Sequence, residues 1–354
     1  MSSWFNIFMA GGSGISITAG TPAVVEAAAG VGSVGCAAIS STQVIVFYQI
    51  ASGWKAMVLD VSGSSITTNT AATVESGSGG NLNTICLTSA TQAVVGYGSS
   101  KAMVLDISGA TITPNTALTI TNGIGYTSVV NLDSTRALVS YATGTPSVAA
   151  RVLTITGSAL SQGSEATIDI GTGTGASRNS RISGSQVLTK YDTTIVRVVV
   201  LDISGTTITV NTAKNITNAL TGVNGAGVAI NNSGKATIVY TKSGSSVQSR
   251  LLTITGSAIS VGSETEIASS GTASNGIIPL NTDQVMGVYF GGSSQGNAII
   301  TNSTSPITSG TATQYDAGPV TFQSLCMLSE TKGLVFYVDN GNSDFLTACV
   351  LTVS

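Results

Sequence analysis

Three observations in this sequence predict an all-β chain, a seven-bladed β-propeller of four-stranded antiparallel blades closed by its N-terminal strand. The first is a repeat. V-L-D-I-S-G-T-T-I-T at Val200 to Thr209 returns at Val58 to Thr67, Val104 to Thr113, Val152 to Ser161, Leu251 to Ser260 and Ile299 to Thr308, with a half-copy at Val350 to Ser354. Its marker residues Leu59, Leu105, Leu153, Leu201, Leu252, Ile300 and Leu351 are spaced by 46, 48, 48, 51, 48 and 51 residues. A steady period of this size built only of strand formers is the signature of a blade. The second observation is a strand ending in Tyr before every copy, and the third is the way the two ends of the chain complement one another.

Val, Leu, Ile and Thr suit a pleated, half-buried surface, and Ser204-Gly205 interrupts them where a two-residue hairpin needs a residue tolerant of positive φ. Within each repeat the order is a first strand such as Thr84 to Thr88, a polar turn, a second strand such as Gln92 to Tyr97, a link, the marker strand and its hairpin partner. Seven of the nine tyrosines (Tyr48, Tyr97, Tyr141, Tyr191, Tyr240, Tyr289, Tyr337) fall at one structural position, with Gln, Arg or Lys five residues earlier. Asp60, Asp106 and Asp202 follow the marker, and Thr154, Thr253, Thr301 and Thr352 stand there in the other copies. Exchange with Thr reads as a hydrogen-bonding strand residue, not a catalytic acid.

The C-terminus stops at Ser354, one strand short of a blade, and Gly12 to Thr18 resembles the missing outer strand. Ile15 then joins Ile66, Ile112, Leu160, Ile208, Ile259 and Ile307. Pairing the first strand with the last blade would close the ring and remove its open edges. Residues 11–354 form a single propeller on this reading, and residues 1–10 are left over. Their Trp4, Phe5, Ile7 and Phe8 are too apolar for a free tail, so they pack on the ring or dock onto another protein.

Composition excludes several classes. The chain has 354 residues, only 8% charged, with a net charge of −3, which gives no electrostatic footprint for nucleic acid. Seven of the thirteen cations fall between Arg136 and Lys214, either a locally basic sector or chance clustering. No segment approaches the roughly 20 apolar residues of a membrane span, and the N-terminus lacks the basic and apolar regions of a signal peptide. Synthesis in the cytoplasm without secretion is the expectation. There is no His, which removes imidazole-dependent zinc sites and Ser-His-Asp triads. Cys36, Cys86 and Cys326 recur 12, 11 and 11 residues before a Tyr, which reads as a shared buried position on the first strands and no disulfide framework. No cofactor is called for. Gly171 to Arg178 (G-T-G-T-G-A-S-R) has the glycines of a phosphate loop, but no helix follows it.

Binding residues belong on the face where the copies differ, which carries the links between second and third strands and crossover inserts such as Glu75 to Leu82 and Gly171 to Arg178. Two links stand out. Gln49 to Lys55 carries Trp54, one of two tryptophans, beside Lys55. Asp339 to Phe345 packs Asp339, Asn340, Asn342, Asp344 and Phe345 into seven residues. First and last blades adjoin across the closure, so the two links are expected side by side, an aromatic platform next to carboxylates and amides, as a carbohydrate site requires. The competing reading makes Trp54 a cover for its blade and D-N-G-N-S-D a tight turn. The spacing does not fit a calcium loop.

The last repeat, G-L-V-F-Y-V-D-N-G-N-S-D-F-L-T-A-C-V-L-T-V-S, resembles propeller repeats of bacteriophage tail-fibre and other virion proteins, in which a V-V-A-Y-x-D-x-G-N-S-like run leads into an A-x-V-x-x-V-S-G strand. All seven copies share the spacing, while only the last keeps the D-x-G-N-S portion. The resemblance implies a non-enzymatic virion-surface protein: a tail fibre or appendage that binds a host-surface glycan or receptor, or a structural piece docked to other virion proteins. A propeller glycosidase is disfavoured because no S-x-D-x-G-x-T-W box occurs and no carboxylate pair recurs at a fixed loop position.

Overall fold

Each marker strand is flanked on both sides by β-branched and small residues that fill a pleated surface, and the chain folds accordingly into consecutive antiparallel meanders. The computed structural model describes residues 16–28, 30–77, 84–98, 100–120, 125–143, 147–170, 177–193, 195–217, 226–232, 234–242 and 246–354. Among them there is one 3₁₀ turn, Asn340–Asn342, and otherwise only strands. Residues 1–15 lie outside the described part, and with them the expected docking residues Trp4, Phe5, Ile7 and Phe8 and the expected strand residue Ile15.

Five sheets of four or five strands and one of nine account for the strands. The first sheet is typical: Val34–Ala38, Gln43–Ile50, Gly53–Ser62 and Ser65–Thr68 pair in chain order. The nine-stranded sheet holds two meanders joined by Thr313–Ser329. This 17-residue strand pairs at its start with Gln295–Asn302 and at its end with Lys332–Asp339. First strands of successive meanders pack side by side, and Val34–Ala38 packs against Thr313–Ser329.

The hairpins follow the expected chemistry. Ser204 pairs with Thr207, and Gly205 between them takes φ 60°. The outer strand departs from the single short strand read from the sequence. It comes in two pieces, Ser65–Thr68 and Ala72–Ser76 in the first sheet, both paired with Gly53–Ser62. Glu75 therefore belongs to a strand and not to a crossover insert, and Arg178 likewise lies on Ser177–Ser183. At the break an Asn side chain fastens the chain to the marker strand: Nδ2 of Asn69, Asn115 and Asn211 donates to the carbonyls of Val58, Val104 and Val200 at 3.0–3.1 Å. The recurring N-T-A at Asn69, Asn115 and Asn211 was the overlooked signal.

Three registers correct the sequence reading. In the sixth copy Val285 pairs with Thr301, as Val44 pairs with Leu59, so Thr301 and not Ile300 holds the marker place and Asn302 the Asp place. Where the two chain ends meet, Ile17 pairs with Val353 as Ile66 pairs with Val61, so Ile17 takes the position expected of Ile15. A two-residue slip keeps the same face, and Ile17 is buried. Cys36 pairs with a residue two before its Tyr, whereas Cys86 and Cys326 pair with residues three before theirs. Cys36 therefore faces the opposite way along its strand and meets Cys326 in the apolar cluster between the first and last meanders.

Candidate binding surface

The seven tyrosines that end the second strands are all buried, and four of their phenols are held by acids. Tyr48 Oη donates to Glu26 at 3.0 Å, Tyr97 to Glu75 at 2.9 Å, Tyr141 to Glu165 and Tyr240 to Glu264 at 2.6 Å. Each acid also meets a cation: Lys55, Lys101, Arg151, or Arg250 with Lys242. Glu75 reaches Tyr97 from the outer strand of the preceding sheet, and Glu26 reaches Tyr48 from Ala23–Glu26, which pairs with Phe345–Val353. Burial raises the Glu26 carboxyl, but hydrogen bonds from Lys55 and Tyr48 outweigh it and hold the group below its ordinary value. The Glu26 and Glu75 triads clamp one sheet to the next, and those of Glu165 and Glu264 brace a single meander.

Lys55 is thus taken up by a clamp, and Trp54 by the core. Trp54 is 2% exposed, its ring stacked on Phe47 at 5.4 Å and tilted against Tyr97 at 5.7 Å. The strands around it run on to a tight hairpin, with Gln49 opposite Trp54 and Ile50 opposite Gly53. Trp54 faces the second sheet, away from the last meander, so the structure does not bring it beside Asp339–Phe345 and it offers no platform to a ligand.

The other predicted corner is exposed and tightly organised. Asp339 ends a strand, Asn340–Asn342 form the 3₁₀ turn, and Phe345 opens the next strand, half-buried opposite Asp339. Ser343 and Asp344 take φ near 60°, the Asp344 N–H donates to the Asp339 carbonyl, and Asn340 Nδ2 donates to Asp344 Oδ1 at 2.6 Å. Burial and the nearby Asp316 carboxylate raise the Asp339 carboxyl, opposed by the N–H groups of Gly341 and Asn342. Asn342 is exposed. No group of three or more metal-ligating side chains occurs among the described residues.

Beside this corner stands an aromatic ring that the sequence reading passed over. Thr321 Oγ1 donates to Asn340 Oδ1 at 2.9 Å, and the next residue, Phe322, is 46% exposed with φ 49°. It sits in a bulge between Thr321, opposite Val338, and Ser324, opposite Phe336. A bulky residue at positive φ is an outlier, and bulges re-aim side chains. Because a bulge is outside the strand period, only the scarcity of Phe, seven in the chain, could have drawn attention to it. Phe322 thus follows directly on Thr321, the residue that bonds the turn carrying Asn340 and Asp344.

No protein-family model matches the chain, and no curated protein matches it in sequence. Solved structures do match. The BP39L lectin from Burkholderia pseudomallei superposes with TM-score 0.67 at 11% identity, covering 92% of this chain and 96% of that one. The β-propeller domain of Cps50 (Swd1) from Myceliophteria thermophila gives 0.60 at 6% identity, covering 94% and 100%. Chaetomium thermophilum Sqt1, bound to the N-terminus of ribosomal protein L10, gives 0.57 at 12%, covering 94% and 99%. The shared feature is the fold, a β-propeller of four-stranded antiparallel sheets.

Proposed function

We propose that this chain is a non-enzymatic binding propeller that presents the Phe322 corner to a glycan, as a surface component of a virion. The observation that carries the reading is Phe322 itself, a half-exposed ring held at positive φ next to Thr321, whose hydroxyl bonds Asn340 of the exposed turn. Strain at a surface aromatic with polar neighbours has no packing purpose, whereas C–H faces of a sugar stack on such a ring and its hydroxyls bond to the amide and carboxylate. The lectin among the similar structures supports a sugar ligand, and the resemblance of the last repeat to tail-fibre repeats supports the virion setting.

We also infer that the meanders make seven blades in a sealed ring. Ile17–Ala19 pairs with the end of Phe345–Val353, and one apolar cluster joins Val44, Val46 and Tyr48 of the first sheet to Phe336 and Val338 of the last meander. A peptide-binding role, with the virion docking through other subunits, is the second reading, favoured by the peptide-bound propeller among the similar structures.

A glycan array probed with the purified chain tests the first reading. Binding to a subset of surface polysaccharides is expected, lost in Phe322→Ala with the melting temperature kept. Silence across the array, or unchanged binding by Phe322→Ala, overturns it.

A further inference from the structure

Where first strands of successive meanders pack side by side, the same two positions come together. One stands opposite the residue two before the Tyr of its own meander. The other, on the preceding first strand, stands opposite the residue three before its Tyr. Ile85 and Ala37 share one apolar cluster in this way, Val129 and Cys86 another, Ile277 and Ala229 a third, and Leu325 and Ile278 a fourth. Where Ser180 fills the second position, its hydroxyl donates to the carbonyl of Val228, the first, at 2.7 Å.

At the junction of the first sheet with the last meander these two positions are Cys36 and Cys326. The other two cysteines have no thiol opposite them: Cys86 packs in the cluster of Val129, and Cys349 in that of Ile17 and Leu351. Cys36 Sγ lies 3.3 Å from Oγ of Ser324. Ser324 and Cys326 are two apart in an unbroken run of their ladder, so both point to the face that Cys36 meets. Hydrogen bonding with the Cys36 sulfur, ahead of burial, raises the Cys326 thiol.

The two thiols differ in access. Cys326 is buried, whereas Cys36 is half-buried and, with Ser324, lines a cavity of about 270 Å³ among the first strands. A small solute in that cavity reaches Cys36 first.

We infer that Cys36 and Cys326, free thiols in this structure, are a peroxide-sensitive pair that closes to a disulfide and fastens the first sheet to the last meander. The Cys36 thiolate attacks one oxygen of hydrogen peroxide and the O–O bond breaks. Cys36 becomes a sulfenic acid, and the departing hydroxide takes up the thiol proton as water. The Cys326 sulfur then attacks the sulfenic sulfur: the S–S bond forms, the S–O bond breaks, and hydroxide leaves with the Cys326 proton as a second water. The thiols lose two electrons and the peroxide gains them. Reducing surroundings keep the pair open, and oxidising ones close it. The bridge encloses most of the chain, so it restricts the unfolded state strongly. The inference is independent of the Phe322 corner.

Treating the reduced full chain with a modest excess of hydrogen peroxide tests this. Thiol titration in denaturant should fall from the four cysteines of the chain to two. A digest mapped by mass spectrometry without reductant should join Cys36 to Cys326, in chains that remain monomers on a non-reducing gel. The bridged chain should melt several degrees higher, and dithiothreitol should reverse the rise. Cys36→Ser should keep all of its remaining thiols under the same treatment, while Cys86→Ser should still lose two. Four thiols left, a sulfinic acid on Cys36 with Cys326 still free, or a bridge through Cys86 or Cys349 overturns the inference. A Cys36–Cys326 bridge with an unchanged melting temperature overturns the fastening. Titration and mapping of the unmodified chain decide the matter without relying on any variant to fold.

Discussion

At the scale of single residues, Trp54 and Phe322 exchange the roles that their surroundings in the sequence suggest. Trp54 stands among Gln49, Ser52, Gly53 and Lys55, polar and flexible letters that read as a link. In the fold they are the last rungs of a hairpin. Gly53 takes φ 144°, and a Cβ there would lie 2.1 Å from the Glu75 carbonyl, so the backbone of the outer strand crosses directly over it. That closeness draws Trp54 inward, and no strand-period argument on one segment can reveal it. Trp54→Ala should therefore cost ~3–5 kcal/mol of stability, the usual range for emptying a large aromatic site. Urea unfolding measures the loss, and glycan binding per folded molecule should be unchanged. A variant as stable as the parent would put the ring outside the core.

At the scale of elements, the repeated tyrosines and aspartates were legible as construction, and the partners that hold them were not. The sequence shows Gln43, Gln92 and Gln186 five residues before Tyr, but it takes the register to show that they donate to Asp60, Asp106 and Asp202 at 2.7–3.1 Å. It likewise shows Glu26, Glu75, Glu165 and Glu264 without a period, because two clamp the next meander's Tyr and two their own. Tyr97→Phe should remove one such bond and cost about 1 kcal/mol, read as a lower denaturant midpoint.

The clamps also fix a pH dependence. Burial raises Glu264, but hydrogen bonds from Lys242 and Tyr240 leave it below its ordinary value, as in Glu26. A depressed folded-state pKa gives stability that is complete above the unfolded carboxylate value and lost as pH falls through the folded one. The phenols move the other way: burial first, then the acid partner, raises Tyr48, Tyr97, Tyr141 and Tyr240. Their contribution is complete below the unfolded phenol value of about 10 and disappears above it as the unfolded chain ionises. Stability measured against pH should be flat between the two ranges and fall on both sides. Glu26→Gln should flatten the acid limb, and an unchanged limb would remove Glu26 from the account.

At the scale of the whole molecule, the repeat period carried the architecture because every copy buries the same positions. Its ends were read two residues out of place without harm, since a shift of two along a strand keeps the same face. What closes the last sheet is a short strand: Ile17–Ala19 pairs with Leu351–Val353, Ser16 and Ser354 exchange backbone bonds, and the Gly20 N–H donates to the Val350 carbonyl at 2.8 Å. A chain beginning at Pro22 would leave Leu351–Val353 as an open edge beside an apolar cluster that includes Ile17 and Leu351. It should melt at lower temperature and self-associate on light scattering. A synthetic peptide covering residues 12–21 should restore the parent behaviour by adding back the missing strand. A truncated chain that stays monodisperse and melts like the parent would mean that the fold is held without this seam, through its sheet-to-sheet cores alone.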